Sequence, residues 1–188
     1  SAISYVASSN CALYCDATID FVDIDPETNN LSIDALSQKL LEAKENNMLP
    51  KVLIPVHLSG QPCDMKDIFE LSIEYDFKII EDASHAIGAT YKDSKIGDCF
   101  YSDITVFSFH PVKMITTCEG GAALTKCSQL AEKLFLLRSH GVTKDPHLFQ
   151  NISDGPWYYE QQELGFNYRM TDLHAALGIS QIKKLQNF

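Results

Sequence analysis

Two residues with useful chemistry, Asp82 and Lys113, each follow an apolar run that predicts a β-strand. The runs are residues 78–80 and 104–109. A lysine amine can bond to the aldehyde of pyridoxal phosphate, while a carboxylate can pair with the ring nitrogen of this cofactor and keep it protonated. The ring then withdraws electrons from a substrate carbon, and the freed lysine can move a proton. On spacing alone, a helix-capping Asp82 and a solvated Lys113 are the favoured interpretation, and the local sequences are needed to decide.

These two residues need elements that position them, and the sequence predicts strands alternating with helices. Strands are predicted at residues 1–6, 17–24, 51–56, 77–80, 104–109 and 122–125, and helices after Ser32 and at residues 64–75, 128–138 and 171–186. This alternation is typical of an α/β domain with a mostly parallel sheet flanked by helices. Ligands of such sheets bind beyond the carboxyl ends of the strands, where Asp82 and Lys113 are predicted to lie.

Composition limits the partners and the compartment that this chain can have. The 188 residues suit one domain, and 15 basic against 25 acidic residues give a net charge of −10. This charge argues against nucleic acid or an anionic membrane as a partner. No apolar run reaches the ~18 residues of a membrane span. The six cysteines are scattered, so we expect free thiols in a reducing cytoplasm and no metal site.

Five sequence strings carry more information than spacing does: EDASHAIGA, FSFHPVK, ITTCEGGAALT, RSHG and GFNYRMTD. In this order they closely resemble the DegT/DnrJ/EryC1/StrS family of sugar aminotransferases, along essentially the whole chain. The resemblance implies the aspartate aminotransferase fold, known as fold type I, with pyridoxal 5'-phosphate as cofactor. Complete members are much longer, so we expect residues 1–188 to be a fragment, the central part of the cofactor-binding large domain. The N-terminal segment and the C-terminal small domain are expected to be absent.

The resemblance also assigns a role to four residues near the two strand ends. Lys113 matches the lysine that bonds to the cofactor, and Asp82 matches the carboxylate at the ring nitrogen. His85 matches a position beside the cofactor ring, with a structural histidine as the alternative. Ser108 matches a hydroxyl that binds the cofactor phosphate, with a buried strand-end serine as the alternative.

Two further residues match positions at the edge of the family's site. Tyr5 matches an aromatic residue that stacks on the cofactor ring, although a lone tyrosine in a strand is also a common core residue. Asn167 matches an amide that reaches the cofactor phosphate of the neighbouring subunit, which implies a homodimer. An asparagine in a left-handed turn before a helix is the alternative for this position.

The longer strings VHLSGQPCDM, SFHPVKMITT and GPWYYEQQELGFNYRMTD are most similar to the pseudaminic acid branch of the family. That branch aminates C4 of a UDP-linked 4-keto-6-deoxy sugar, with glutamate as the amino donor. A dTDP- or GDP-linked keto sugar, aminated at C3 or C4, remains an alternative, as does a non-catalytic protein of the same fold. His57 is expected to position a loop. The roles of Arg169 and of Trp157, Tyr158 and Tyr159, as pocket or core residues, stay open.

Overall fold

A computed structural model describes residues 1–187 of the chain, and strands and helices alternate along much of it. The helices are α1 (Ala7–Leu13), α2 (Ile33–Glu45), α3 (Met65–Tyr75), α4 (Ser128–Leu137) and α5 (Asp172–Ile182). The strands are β1 (Val52–Leu53), β2 (Lys78–Asp82), β3 (Thr90–Tyr91), β4 (Ser94–Lys95), β5 (Ile104–Ser108), β6 (Gly121–Leu124), β7 (Val142–Thr143) and β8 (Glu160–Gln161). Short 3-10 turns lie at Leu58–Gly60, Pro146–Leu148 and Leu185–Asn187.

The main sheet has four strands in the order β1-β2-β5-β6. Strands β1, β2 and β5 are parallel, and β6 is antiparallel to β5. Asp82 in β2 lies opposite Val106 in β5, and Ser108 at the end of β5 lies opposite Gly121. The carboxyl ends of β2 and β5 therefore share one edge of the sheet. The prediction of an α/β fold with a mainly parallel sheet is confirmed.

The main hydrophobic core lies where α2 and α3 pack together beside β1 and β2. Leu36 and Leu40 of α2 are four residues apart and therefore lie on one helix face, where both are buried. Ile68 of α3 and Ile79 of β2 complete this packing. The hydroxyl of Ser32 accepts a hydrogen bond from the Ala35 N–H and so caps the first turn of α2, the helix predicted to follow Ser32.

Two of the predicted strands are wrong. Residues 1–6 contain bends and a turn that lead into α1, and residues 17–24 form no strand and have only an isolated bridge between Ile24 and Leu31. Alternating apolar residues favour an extended backbone, but a strand also needs a neighbouring backbone to satisfy its N–H and C=O groups. Residues 17–24 have few such contacts, among them the bond from the Ala2 N–H to the Val22 carbonyl.

Other predicted elements are present with different ends. The strand predicted at residues 51–56 is regular only over β1, because Pro55 has no N–H to donate. The last helix, predicted to reach residue 186, ends at Ile182 and is followed by the short 3-10 turn Leu185–Asn187. None of the helices in residues 1–187 has the length and apolar character needed to cross a bilayer. All six cysteines are free thiols.

Candidate active site

Asp82 is the last residue of β2, and each oxygen of its carboxylate accepts a hydrogen bond from a serine. Its Oδ2 accepts a hydrogen bond of 2.6 Å from the Ser8 hydroxyl, and its Oδ1 accepts one of 3.1 Å from the Ser84 N–H. Burial acts to raise the pKa of Asp82, but these hydrogen bonds and nearby His85 outweigh it and hold the pKa below its usual value. Asp82 is therefore an anion at neutral pH.

Ser8 was not among the predicted site residues. It lies 74 positions before Asp82, and no spacing rule connects the two. Its only signal in the sequence is its position three residues after Tyr5, which matches the aromatic residue that stacks on the cofactor ring in the family. The structure connects this segment to the sheet edge through α1, which contains Ser8 and begins just after Tyr5.

Glu81 precedes Asp82 in β2, and it too was not predicted. Successive side chains of a strand point to opposite faces of the sheet, so Glu81 and Asp82 face different surroundings. Glu81 is buried, and it accepts hydrogen bonds from Ser102, from Thr105 at 2.8 Å and from His57 at 2.8 Å. Burial acts to raise the pKa of Glu81, but the hydrogen bonds from His57, Ser102 and Thr105 lower it further than burial raises it.

Lys113 lies in the loop that joins β5 to β6, beyond the sheet edge that also carries Asp82. Two backbone hydrogen bonds close the base of this loop, from the Phe109 N–H to the Gly120 carbonyl and from the Thr117 N–H to the Phe109 carbonyl. The Lys113 N–H bonds to the His110 carbonyl at 2.9 Å and forms a turn around Pro111. Lys113 is half-buried, and within residues 1–187 no carboxylate lies within ion-pair distance of its amine.

The base of this loop packs against α5 and the residues just before it. A Cβ on Gly120, whose φ is +144°, would lie 2.7 Å from the Thr117 hydroxyl and 2.8 Å from the Met170 methyl group. A Cβ on Gly178 of α5 would lie 2.8 Å from the Thr117 methyl group. The segment before α5, and α5 itself, therefore support the loop that carries Lys113.

The other predicted residues differ in how far they are exposed to solvent. His85 is exposed in the turn after Asp82, and Ser108 is half-buried at the end of β5. Tyr5 is 79% exposed, which excludes the core of this chain, and Asn167 is exposed with its backbone bridged to Ser139. Among the residues that the structure describes, no hydrogen bond joins the side chain of Tyr5 or Asn167 to the other predicted site residues, which are Asp82, His85, Ser108 and Lys113.

The aromatic run at Trp157 is also outside the core. Trp157 and Tyr159 are 68% and 60% exposed, and the Tyr158 hydroxyl donates a hydrogen bond to Glu160. The core interpretation of Trp157 and Tyr159 is therefore wrong for this chain. A role for these side chains in a pocket stays a prediction.

The residues at the sheet edge fit the chemical groups of pyridoxal phosphate. Asp82 offers an anion to a protonated ring nitrogen, and Ser108 offers a neutral hydroxyl to the phosphate. Lys113 offers to the aldehyde an amine that has no ionic partner among residues 1–187. Within residues 1–187, no group of three or more His, Cys, Asp or Glu side chains is arranged to hold one.

Comparisons with known proteins agree with this arrangement. The family model described as the DegT/DnrJ/EryC1/StrS aminotransferase family matches residues 1–188. The chain is 40% identical over 185 residues to a UDP-4-amino-4,6-dideoxy-N-acetyl-beta-L-altrosamine transaminase of Campylobacter jejuni, covering 98% of this chain and 45% of the relative. It is 39% identical to a GDP-perosamine synthase of Caulobacter vibrioides, covering 97% and 44% of the two chains.

Solved structures show the same likeness. The aminotransferase PseC of Helicobacter pylori, involved in the biosynthesis of pseudoaminic acid, superposes with a TM-score of 0.85 at 32% identity over 98% of this chain. The sugar aminotransferase Spr1654 of Streptococcus pneumoniae in its PLP form gives a TM-score of 0.81 at 30% identity over 99% of this chain. This chain covers 45% and 48% of those two structures, so it spans about half the length of the proteins it resembles.

Proposed function

The chain belongs to the DegT/DnrJ/EryC1/StrS aminotransferase family, and on that premise we propose that its complete protein transfers an amino group from glutamate to a nucleotide-linked keto sugar. In this proposal residues 1–188 are the central part of the cofactor-binding large domain. The observation that supports it most directly is the ionised Asp82 at the same sheet edge as the loop of Lys113. The six free cysteines favour the cytoplasm as the compartment.

Each residue of the site has one task in this proposal. Pyridoxal phosphate, when bound, supplies an aldehyde that reacts with amines and a ring that withdraws electrons from the substrate carbon. Asp82 places its negative charge against the ring nitrogen, and Ser8 and Ser84 keep that carboxylate ionised and oriented. Lys113 holds the cofactor and then moves a proton at the reacting carbon. Ser108 donates its hydroxyl to the phosphate.

The remaining three residues shape the surroundings of the cofactor. His85 lies beside the ring, and Tyr5 covers one ring face by offset stacking. Asn167 reaches the phosphate in the site of a second copy, which makes the proposed active form a homodimer. The exposure of Tyr5 and Asn167 leaves both side chains available for contacts with a cofactor or a partner.

The proposed substrate is a UDP-linked 4-keto-6-deoxy amino sugar that is aminated at C4. This choice follows the likeness to the Campylobacter jejuni transaminase and to PseC. A GDP-linked sugar is the second candidate, because this chain is almost as similar to the GDP-perosamine synthase, at 39% identity, as to the transaminase, at 40% identity. A non-catalytic role is disfavoured by the presence of both Asp82 and Lys113.

Covalent trapping tests the cofactor assignment. The complete protein is mixed with pyridoxal phosphate, its visible absorbance is recorded, and borohydride is added before peptide mapping. We expect the label on Lys113 alone, with no label in Lys113→Ala and normal labelling in a control, Lys92→Ala, at the exposed turn between β3 and β4. Labelling of a different lysine, or no absorbance change, would contradict the proposal.

A substrate panel tests the reaction. The protein with cofactor is given glutamate and UDP-, dTDP- or GDP-linked keto sugars, and the products are identified by NMR. We expect amination at C4 of the UDP-linked sugar, with 2-oxoglutarate released in equal amount. Preference for the GDP sugar would select the second candidate, and no amination of any sugar would reject both.

A further inference from the structure

The buried pair formed by His57 and Glu81 lies one residue from Asp82 and takes no part in the chemistry described above. We propose that His57 is a positioning residue for Asp82: by holding Glu81 on the opposite face of β2, it fixes the direction in which the Asp82 carboxylate points. The functional value of this inference rests on the proposed role of Asp82. The geometry can be tested without that role.

The hydrogen bonds of His57 select one form of its ring. His57 is fully buried, and its Nδ1 accepts a hydrogen bond of 3.1 Å from the Cys63 N–H. Because Nδ1 is occupied as an acceptor, the ring proton must be on Nε2, which lies 2.8 Å from Glu81 Oε2. A neutral imidazole therefore donates to a buried carboxylate, and its orientation is determined at both nitrogens.

The backbone around His57 is bonded directly to Asp82. The His57 N–H donates to the Asp82 carbonyl at 3.1 Å, and the Asp82 N–H donates to the Pro55 carbonyl at 2.9 Å. Gly60, three residues after His57, packs closely against the turn that follows Asp82. A Cβ on Gly60 would lie 2.8 Å from the His85 carbonyl oxygen in that turn. The segment around His57 thus holds the chain on both sides of Asp82.

The side-chain contacts add a second constraint on the same strand end. Glu81 is 3% exposed, and its three donors are His57, Ser102 and Thr105. A buried carboxylate that loses a donor is costly, so the strand end would shift until Glu81 found another partner. Because Glu81 and Asp82 are consecutive in β2, a rotation that serves one carboxylate turns the other.

Two substitutions separate the contacts of the His57 ring. In His57→Gln the side-chain amide can occupy the position of Nε2 and still donate to Glu81. In His57→Asn the shorter amide can occupy the position of Nδ1, accept from the Cys63 N–H and leave Glu81 without this donor. His147→Asn, at an exposed histidine in the Pro146–Leu148 turn, is the control.

The first measurements use the complete protein without cofactor. Imidazole ¹⁵N shifts of the wild type should show the Nε2–H form of His57 at neutral pH. The ¹³C carboxyl shift of Asp82 should titrate in His57→Gln as in the wild type. In His57→Asn the Asp82 midpoint should rise by about one pH unit, which corresponds to a tenfold change in proton affinity. Pyridoxal phosphate should then bind His57→Asn about tenfold more weakly, and the Gln variant within about threefold.

Three results would overturn the inference. One is a His57 ring that is protonated or carries its proton on Nδ1. Another is a His57→Asn variant that melts earlier but keeps the Asp82 titration and the cofactor affinity of the wild type, since that describes a purely structural histidine. The third is an Asp82 titration midpoint that shifts as far in His57→Gln as in His57→Asn. If His57→Asn does not fold, the midpoint in His57→Gln is compared with the wild type alone, and a shift of about one pH unit would overturn the inference. A wild type that binds no pyridoxal phosphate would instead reject the proposed function, while the titrations still decide the inference.

Discussion

At the scale of single residues, the charge of Asp82 depends on groups that come from two parts of the chain. Ser8 lies on α1, whereas Ser84 and His85 follow β2. A carboxylate that accepts hydrogen bonds is stabilised as an anion, since the protonated form accepts them less well. The proposed partner of the ring nitrogen is thus prepared before any cofactor binds.

The Ser8→Ala variant tests this preparation. Loss of a hydrogen bond to a charged group should lower the free energy of unfolding by about 1.5–3 kcal/mol at neutral pH. The folded pKa of Asp82 is lowered, so its stabilisation is present above its unfolded value of about 3.9 and is lost as the pH falls through the folded pKa. Urea unfolding should therefore show a difference between variant and wild type that shrinks in acid.

A nearby serine provides the matched control for that experiment. Ser9→Ala removes only a local bond from the Ser9 hydroxyl to the Val6 carbonyl. It should lower stability by less than Ser8→Ala, with no dependence on pH. A Ser8→Ala loss that is the same at neutral and acid pH would show that the Asp82 charge is not involved.

The Asp82→Asn variant tests the function of the charge itself. An amide cannot keep the ring nitrogen protonated, so transamination should fall by orders of magnitude while cofactor capture by Lys113 stays largely intact. Cofactor absorbance and initial rates with glutamate measure the two effects separately. Asp93→Asn, at the exposed turn between β3 and β4, should leave both unchanged. Unchanged turnover in Asp82→Asn would remove Asp82 from its assigned role.

At the scale of elements, the loop of Lys113 depends on how closely β6 approaches β5. Gly121 lies opposite Ser108, and a Cβ on it would be 2.7 Å from the Phe107 carbonyl oxygen. A backbone atom in a paired strand cannot move aside as a flexible side chain can. The glycine pair in the sequence thus serves two needs, the positive φ of Gly120 and the close approach at Gly121.

Gly121→Ala should therefore open the β5–β6 pair at its functional end. We expect a loss of about 1–3 kcal/mol in the free energy of unfolding, as for other overpacked sites. Borohydride labelling of Lys113 should become slower, because the loop that presents it is displaced. Ala123→Ser, on the exposed part of β6, should change stability by less than about 0.5 kcal/mol. Equal effects of the two substitutions would contradict this account.

A second element, the loop between β7 and β8, is organised by the carboxylate of Glu160. It accepts hydrogen bonds from the Gln150 N–H at 2.7 Å, the Asn151 N–H at 2.9 Å and the Tyr158 hydroxyl at 2.8 Å. The bond from Gln150 contributes most, and together these bonds lower the pKa of Glu160 to about 2. The anion therefore holds the loop that carries the exposed Trp157.

Glu160→Gln should loosen this loop in a pH-dependent way. The stabilisation by Glu160 is present above its unfolded pKa of about 4.3 and is lost as the pH falls to about 2. The variant should melt at a lower temperature than the wild type at neutral pH, and the two melting temperatures should converge in acid. Glu163→Gln, which removes one exposed ion pair with Lys133, should have little effect at either pH. A constant difference across pH would contradict the role of the charge.

At the scale of the whole molecule, many large apolar side chains are exposed, several of them on α5. No residue of α5 is buried, although the helix carries Leu173, Ile179 and Ile182, and Leu173 is 83% exposed. Phe166, shortly before α5, is also exposed. Exposed large apolar side chains grouped within one segment are typical of a surface that contacts other polypeptide, which agrees with a chain that spans about half the length of its relatives.

The proposed homodimer predicts that sites can be shared between copies. Complete proteins carrying Lys113→Ala and Asn167→Ala should each have little activity alone. After unfolding and refolding an equal mixture, one site in each hybrid dimer has both residues, so roughly a quarter of the wild-type activity should return. Assay of the mixture against each parent measures the recovery. No recovery would place Lys113 and Asn167 of the same chain in one site.

The sequence by itself determined the local elements and the family. Apolar residues at helical spacing predict α2, α3 and α4, and apolar runs predict β2 and β5 with nearly the observed ends. Such patterns can be read locally because they reflect the side-chain period of each element. The ordered strings around Asp82 and Lys113 identify the family without any geometry.

Only the tertiary structure decided which distant groups meet. The bond from Ser8 to Asp82 spans 74 positions, and the pair of His57 and Glu81 spans 24. The same holds for residues 17–24, which have a strand-like pattern but no neighbouring strand in the described chain. Periodicity encodes which face of an element is apolar, whereas hydrogen-bond partners depend on how the elements pack, and packing is a property of the whole fold.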